Sequence, residues 1–453
     1  MAAIGDTRGN VRRSAGPIVT DAWALQCFLI AATIVMLPVN WALGTDLPWV
    51  YLVGVVLAFG MVRFALPEWQ LLSLAAALAF SLFLAMMTHF QGERAFGAAY
   101  NISVLLLLLV FTNFGRQLDH APRNHRGIWP KDTIYGAALI AYISYVVFMV
   151  VTMGYSAVSG QSRIYFYSLI LGNLGQLPGI LGTYALNIVV ESDWINGGVV
   201  SRNHGMGVYA TESAIQVVML GAMGAIYLIR RRMFMWAILL ELSILPMLLP
   251  FGSRTTSLAY VASLAFLAVV WRGGVMLGAI LLGPLVLAVV ALFGPDLVDL
   301  FQASAQSVAE SRAGSTATRL ETYALAIRMV LDQNLIFGLG IKPVDVSLAE
   351  IPIGSHSSMV STFTRGGLIG LGLFLAFYLT VAVRMIVVQV AAFTRGARLT
   401  NESRLELVFL ARAIFVILIW YLTADLDVPL YHTLLSGVII GIFWNMGERL
   451  RRI

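Results

Sequence analysis

The sequence predicts an all-α polytopic membrane protein of about twelve transmembrane helices. Three observations predict it: an apolar composition, apolar runs of span length repeated along the chain, and basic residues gathered at alternate ends of those runs.

Composition comes first. Of 453 residues, 59% are hydrophobic and 11% are charged, whereas a soluble domain carries about 25% charged residues. Mean hydropathy is +0.85, so water is not the solvent over most of the chain's area. The net charge of +6 is modest and takes its meaning from placement. It gives no reason to expect nucleic acid as a partner. Cys27 is the one cysteine, which excludes a disulfide framework and a thiolate metal site. The first 20 residues are polar and basic, and Trp23 opens a full-length run without a small-residue cleavage site. No cleaved signal peptide is expected.

A span needs roughly 20 mostly apolar residues to cross about 30 Å of hydrocarbon. Such runs fall at 23–43, 48–66, 70–90, 96–114, 134–154, 209–229, 233–251, 255–271, 274–293, 359–383, 405–424 and 429–446. One set of run ends carries Arg8, Arg12, Arg13, Arg63, Arg116, Arg123, Arg126, Lys131, Arg230, Arg231, Arg232 and Arg272. The same set continues with Arg384, Arg395, Arg398, Arg404, Arg449, Arg451 and Arg452. These ends alternate along the walk, and Lys and Arg in short loops mark the cytoplasmic side. Both termini are therefore expected in the cytoplasm. Segment 163–190 is apolar but interrupted by Gly172, Gly175, Pro178, Gly179 and Gly182. Counting it as a span would reverse the next three basic loops, so it is expected to be re-entrant or to lie along the surface.

The expected organisation is a single integral membrane domain over 1–453, with two long outer segments at 155–208 and 294–358. With the turn at 252–255 these hold Arg163, Arg202, His204, Arg254, Arg312, Arg319, Lys342 and His356. Outward basic residues run against the insertion bias. Arg254, in Gly252-Ser253-Arg254-Thr255, sits between two apolar runs with almost no loop. A cation pinned there needs a partner: an anionic ligand, or headgroups reached by snorkelling. Thr318-Arg319-Leu320-Glu321 has the pattern of a capping box, followed by apolar residues at helical spacing. That places Arg319 in a first turn, where free N–H groups favour an anion; the duller reading is pairing with Glu321 or a headgroup.

His356 lies in Gly354-Ser355-His356-Ser357-Ser358, just before the run that starts at Met359. A helix N-terminus disfavours imidazolium, so the ring is suited to accept a proton; a structural role is the alternative. Arg202, at the mouth of another run, is a candidate anion contact beside His204, whose role is open. Ser357 is a possible secondary member. The outer acidic residues form no tight pair, so no metal is expected, and no nucleotide loop or serine elbow is present. A cationic site with one imidazole suits transfer from a phosphate-activated donor.

The stretch from Arg319 to Leu373 carries Phe337-Gly338-Leu339-Gly340, Gly354-Ser355-His356-Ser357 and Gly366-Gly367-Leu368-Ile369-Gly370. With these motifs it resembles the O-antigen ligase and Wzy polymerase superfamily. Ser253-Arg254 and Arg202 resemble that family's upstream arginines. Ligases commonly follow the histidine with Asn, whereas Ser357 stands here, which leans toward the repeat-unit polymerases.

The resemblance implies an inverting, metal-independent glycosyltransferase of the membrane-embedded C type, without cofactor, in a bacterial inner membrane. Its donor would be a glycan on undecaprenyl diphosphate at the periplasmic face. Arg202, Arg254 and Arg319 would hold the diphosphate, and His356 would take the proton from the acceptor hydroxyl. That hydroxyl would belong to a second lipid-linked repeat unit in a polymerase, or to lipid A–core in a ligase. A chain-length-regulating copolymerase is a further implied partner. A flippase or exporter of the same lipid-linked sugar is the reading from another class, kept open by Arg412, Asp425, Asp427 and His432 in or beside the last two runs.

Overall fold

The structure, a computed structural model, describes residues 17–60, 69–88, 92–118, 130–161, 163–173, 185–192, 201–207, 209–270, 313–344, 352–355, 357–394, 399–424 and 430–452. The helices among them are α1 Pro17–Val35, α2 Leu37–Leu43, α3 Asp46–Gly60, α4 Trp69–Thr88, α5 Gly92–Gln117 and α6 Pro130–Ser159. After three strands come α7 Ala210–Arg230, α8 Phe234–Leu248, α9 Arg254–Val270, α10 Ala313–Gln333, α11 Ser358–Thr394, α12 Asn401–Thr423 and α13 Leu430–Arg452.

Five helices among the described residues are long and apolar enough to cross a membrane: Ala98–Gln117, Pro130–Ser159, Ala210–Arg230, Ser358–Ala392 and Asn401–Thr423. A sixth span arises if Trp23–Val35 and Leu37–Leu43, bent by 62°, are taken together. The expected count of about twelve is thus larger than the described helices supply on these criteria. Part of the reason is local chemistry. Pro38 has no N–H to offer the preceding turn, and the first run breaks there. Phe234–Leu248 is apolar but has only 15 residues, and the second run is described only as far as Gly60. The run 274–293 lies outside the described residues.

The protein is mostly helical, as expected, and carries one small sheet among the described residues. Strands β1 Ile164–Tyr167, β2 Leu186–Ser192 and β3 Ser201–Asn203 form an antiparallel β1-β2-β3 sheet. Ile164 stands opposite Val190, Tyr167 opposite Leu186, and Glu191 opposite Arg202. The runs Ile-Tyr-Phe-Tyr and Leu-Asn-Ile-Val-Val are aromatic and β-branched, which favours the pleated surface, and both are too short to span. The described part of 163–190 is therefore a strand pair laid on helix ends. Leu169 N–H donates to the Ala42 carbonyl at 2.9 Å and Asn203 N–H to the Pro250 carbonyl at 2.9 Å.

Glycine sets the closest helix contact. A Cβ at Gly441 would stand 2.8 Å from the Gly115 Cα, so α13 and α5 meet backbone to backbone, as small residues allow in membranes.

Among the described residues at the basic run ends, Lys131, Arg230 and Arg116 are ion-paired. Glu406, at the start of α12, has a side chain 1% exposed. It accepts from Lys131 Nζ at 3.1 Å, Tyr135 Oη at 2.9 Å and Arg230 Nη1 at 3.0 Å. Arg230 Nε also donates to Asp132. Arg116 and Glu448 form a further pair at 3.3 Å. Removing one member of a buried charge network costs about 3–5 kcal/mol, because the partners stay buried and uncompensated. Glu406→Leu is expected to lower the thermal midpoint in detergent sharply. The triple change Lys131→Met, Glu406→Leu, Arg230→Met should lose far less; equal losses would mean the network contributes nothing as a network.

Candidate functional site

The sheet covers the opposite end of the bundle, and Arg202 and Arg254 lie there. Backbone bonds fix the corner. β3 hangs between β2 and the loop after α8, through Asn203 N–H to Pro250 and His204 N–H to the Val189 carbonyl at 2.9 Å. The chain then turns at Gly252 with φ +60, and α9 begins at Arg254. A Cβ at Gly252 would stand 3.2 Å from Arg202 Nε. The Arg202 side chain therefore lies over Gly252, two residues from Arg254. Two cations from distant parts of the chain are thus carried near the mouth of one helix, Arg202 over Gly252 and Arg254 at the helix start. Arg254 is exposed, whereas Ser253 and Thr256 are buried and share a 2.8 Å hydroxyl contact that fixes the first turn beneath it.

His204 is tied down around this corner. Its carbonyl accepts from Ser213 Oγ, and its Nε2 lies 3.9 Å from Glu191 Oε2. Glu191 stands opposite Arg202 in the strand register. In the sequence Glu191 is one of the outer acidic residues, and nothing there pairs it with Arg202; the β2–β3 register does.

The glycine motifs form a second construction. α11 is broken at Gly367, with φ 58 and ψ −150, a backbone region open to glycine alone. The break frees carbonyls and amides, and the 335–340 loop takes them up. Leu339 N–H donates to the Thr364 carbonyl at 2.8 Å and Gly340 N–H to the Arg365 carbonyl at 2.9 Å. In return Leu368 N–H donates to Leu335 at 2.9 Å and Ile369 N–H to Ile336 at 3.2 Å. Non-helical backbone inside a membrane protein persists where protein satisfies it, and here the loop does so. A Cβ at Gly367 would stand 2.5 Å from the Ile336 carbonyl oxygen, while one at Gly372 meets nothing within 4 Å. Gly367→Ala is expected to cost at least about 1–3 kcal/mol from backbone strain alone. Gly372→Ala should stabilise by up to about 1 kcal/mol. Melting curves of the two variants in one detergent check the pair; equal midpoints would refute the clip.

This clip holds the serine-rich turn. Gly354, at φ +78, abuts Thr364, and Ile353 N–H donates to the Pro343 carbonyl at 2.8 Å. Ser358 Oγ donates to the Ala424 carbonyl at 2.7 Å, joining the start of α11 to the end of α12. Ser357 is buried, and its Oγ accepts from Val360 N–H at 3.5 Å. Its hydroxyl thus serves the start of α11, the task of an N-cap serine. His356, between the fixed Ser355 and Ser357, lies outside the described residues.

The capping-box reading is corrected. α10 begins at Ala313, which puts Arg319 in the second turn, away from the free N–H groups of a helix start. Gly314 through Thr318 offers several capping residues in succession, and the helix uses an earlier start. Arg412, one of the residues that supported a transporter, is paired with Glu241 at 2.8 Å and stacks over Tyr260 and Phe409. His432 is fully buried with its ring 4.7 Å from that of Trp420. Asp425 and Asp427 lie outside the described residues.

Sequence reading also missed a polar group inside the same end. Glu212, 2% exposed, accepts from Gln216 Nε2 at 2.7 Å, and Gln216 accepts from Tyr145. Asp46 lies close by, its carboxyl held well above the usual range by burial and then by Glu212. Ionisable residues interrupting apolar runs were the available signal. Among the described residues, no group of three His, Cys, Asp or Glu could hold a metal ion.

Apolar helices of span length and a glycine-broken helix define an integral membrane protein. Residues 247–375 match the O-antigen ligase family model. The match contains Arg254, Arg319, the glycine clip and the serine-rich turn, and it bears out the resemblance to the O-antigen ligase and Wzy superfamily. The family's members are glycosyltransferase-type enzymes, ligases or polymerases acting on lipid-linked glycans. No curated protein matches the chain.

Proposed function

We propose that the protein is a glycosyltransferase of a bacterial inner membrane, working at the periplasmic face on undecaprenyl-diphosphate-linked oligosaccharide. The sheet end of the bundle is the periplasmic one in this reading, and the ion-paired end is cytoplasmic with both termini. The observation that carries the reading is the Arg202 side chain lying over Gly252, two residues before Arg254, within a chain whose 247–375 segment matches the ligase family. Arg202, Arg254 and Arg319 hold the diphosphate and stabilise the charge that grows on it, the part a metal would otherwise take. The acceptor oxygen attacks the anomeric carbon from the face opposite the diphosphate, so the configuration inverts. The bond from that carbon to phosphate oxygen breaks, and undecaprenyl diphosphate leaves. His356 takes the hydroxyl proton.

The acceptor we favour is a second lipid-linked repeat unit, which makes the enzyme a polymerase of exopolysaccharide, capsule or O-antigen. The name of the matching family model favours a second reading, transfer to lipid A–core by a ligase. Proteoliposomes holding lipid-linked repeat units alone decide between them. Lengthening glycans in EDTA support the metal-independent polymerase; product appearing only when lipid A–core is added supports the ligase. Movement of lipid across the bilayer with no new linkage would mean a flippase or exporter, and the transferase reading would fall.

A further inference from the structure

From the surface of α10 we infer that this helix lies in the membrane interface, with one side seated among the lipid acyl chains. The helix has three faces. Thr322, Ala326 and Val330 are buried, and Ala326 packs beside Gly354. Glu321, Arg328 and Asp332 are exposed and stack on a polar face. Leu320, Ile327 and Leu331 are 62%, 43% and 55% exposed, and at 3.6 residues per turn they fall within about 40° of one another. The polar stripe lies about 100° away from them. A helix that met protein on one side and water on the rest would have no use for this third face. A helix at an interface has, because each of its three surroundings selects its own residues.

What covers the apolar face is shown by its continuation. The stripe runs on into Leu335, Ile336 and Phe337, which are 38%, 53% and 48% exposed. Those residues are hydrogen-bonded to Leu368 and Ile369 of α11, themselves 50% and 38% exposed. α11 contains the span Ser358–Ala392, of which only 33% of the most apolar window is buried inside the protein. The remainder of α11 is lipid-facing, so the α10 stripe and the lipid-facing surface of a span are one surface. The occupant is bilayer lipid. The inference rests on the chain crossing a membrane and is independent of the transfer reaction.

Single cysteines at Ile327, Leu331, Arg328 and Asp332, in a full-length Cys27→Ala background, test it after bimane labelling and reconstitution. Bimane at 327 and 331 should be quenched by phospholipid brominated on its acyl chains and little by aqueous iodide, and at 328 and 332 the reverse. Equal iodide quenching at all four positions would overturn the inference. So would protection of 327 and 331 from both quenchers, which would mean a protein cover such as a second copy. Wild-type protein in vesicles bearing a diazirine acyl-chain phospholipid provides a readout free of substitutions. Labelled peptides should include 327–337; absence of label there, with label on the 372–392 part of α11, would equally refute the placement. Loss of glycosyl transfer with the quenching pattern intact would remove the enzyme reading and leave this one standing.

Discussion

His356→Ala is expected to lower glycosyl transfer by about 10²–10⁴-fold, the usual contribution of a general base, while donor binding stays close to that of the parent protein. The separation follows from the two constructions at the sheet end. In the proposed reading donor affinity comes from arginines carried by β3, α9 and α10, whereas the base follows Ser355 and precedes Ser357, next to the Ser358 bond to Ala424. Removing an imidazole leaves the cations in place. The rate of the parent should rise with pH as the imidazole loses its proton, and the variant should lose that rise. Donor binding is measured with the lipid-linked glycan in the absence of acceptor, and transfer by product length. Near-parental turnover in His356→Ala would refute the base role and leave the residue as a structural or acceptor-positioning one.

Arg254→Ala is expected to damage binding and transfer together, with a loss of about 10²–10³ in rate if the guanidinium stabilises the leaving diphosphate. Arg254→Lys should recover little, because a point charge cannot reproduce a planar fork on phosphate. Arg202→Ala should behave in the same way, since its side chain shares the Gly252 corner. Arg319→Ala is expected to have a smaller effect than a first-turn position would give, because α10 begins at Ala313. Each variant must first run as a single species in detergent. Unchanged donor affinity in both Arg202→Ala and Arg254→Ala would move the diphosphate site away from this corner.

How far these features were legible in the sequence depended on their range. The apolar runs predicted where helices fall, since hydrophobicity along a span is a local property. The bend before Leu37 and the short length of α8 were less visible, because one proline or a few residues at an end decide them. The sheet escaped notice for a different reason: β1 has four residues and β3 three, below what a periodic pattern can announce. Arg202 and Arg254 were legible as misplaced cations, but carrying both near one helix mouth needed the bond between Asn203 and Pro250. Arg319 was misjudged because Ser315, Thr316 and Thr318 all have the chemistry of a helix start, and the sequence does not rank them. The two glycine motifs were visible as motifs; that one plugs the gap in the other is a contact between segments 25 residues apart, Leu339 with Thr364 and Gly340 with Arg365.

The clip at Gly367 has a consequence for how the molecule is made. Leu335–Gly340 emerges from the ribosome before α11, so on leaving the ribosome its amides have no partner at membrane depth. They find one only after the following span has entered the bilayer and opened at its glycine. Until that moment the upper part of α11 and the loop are each incomplete, and neither is a finished unit for the insertion machinery. The serine-rich turn between them is the last piece to be fixed. Assembly of this end of the molecule is therefore a late event of biogenesis, completed within the membrane and after both segments have been delivered to it.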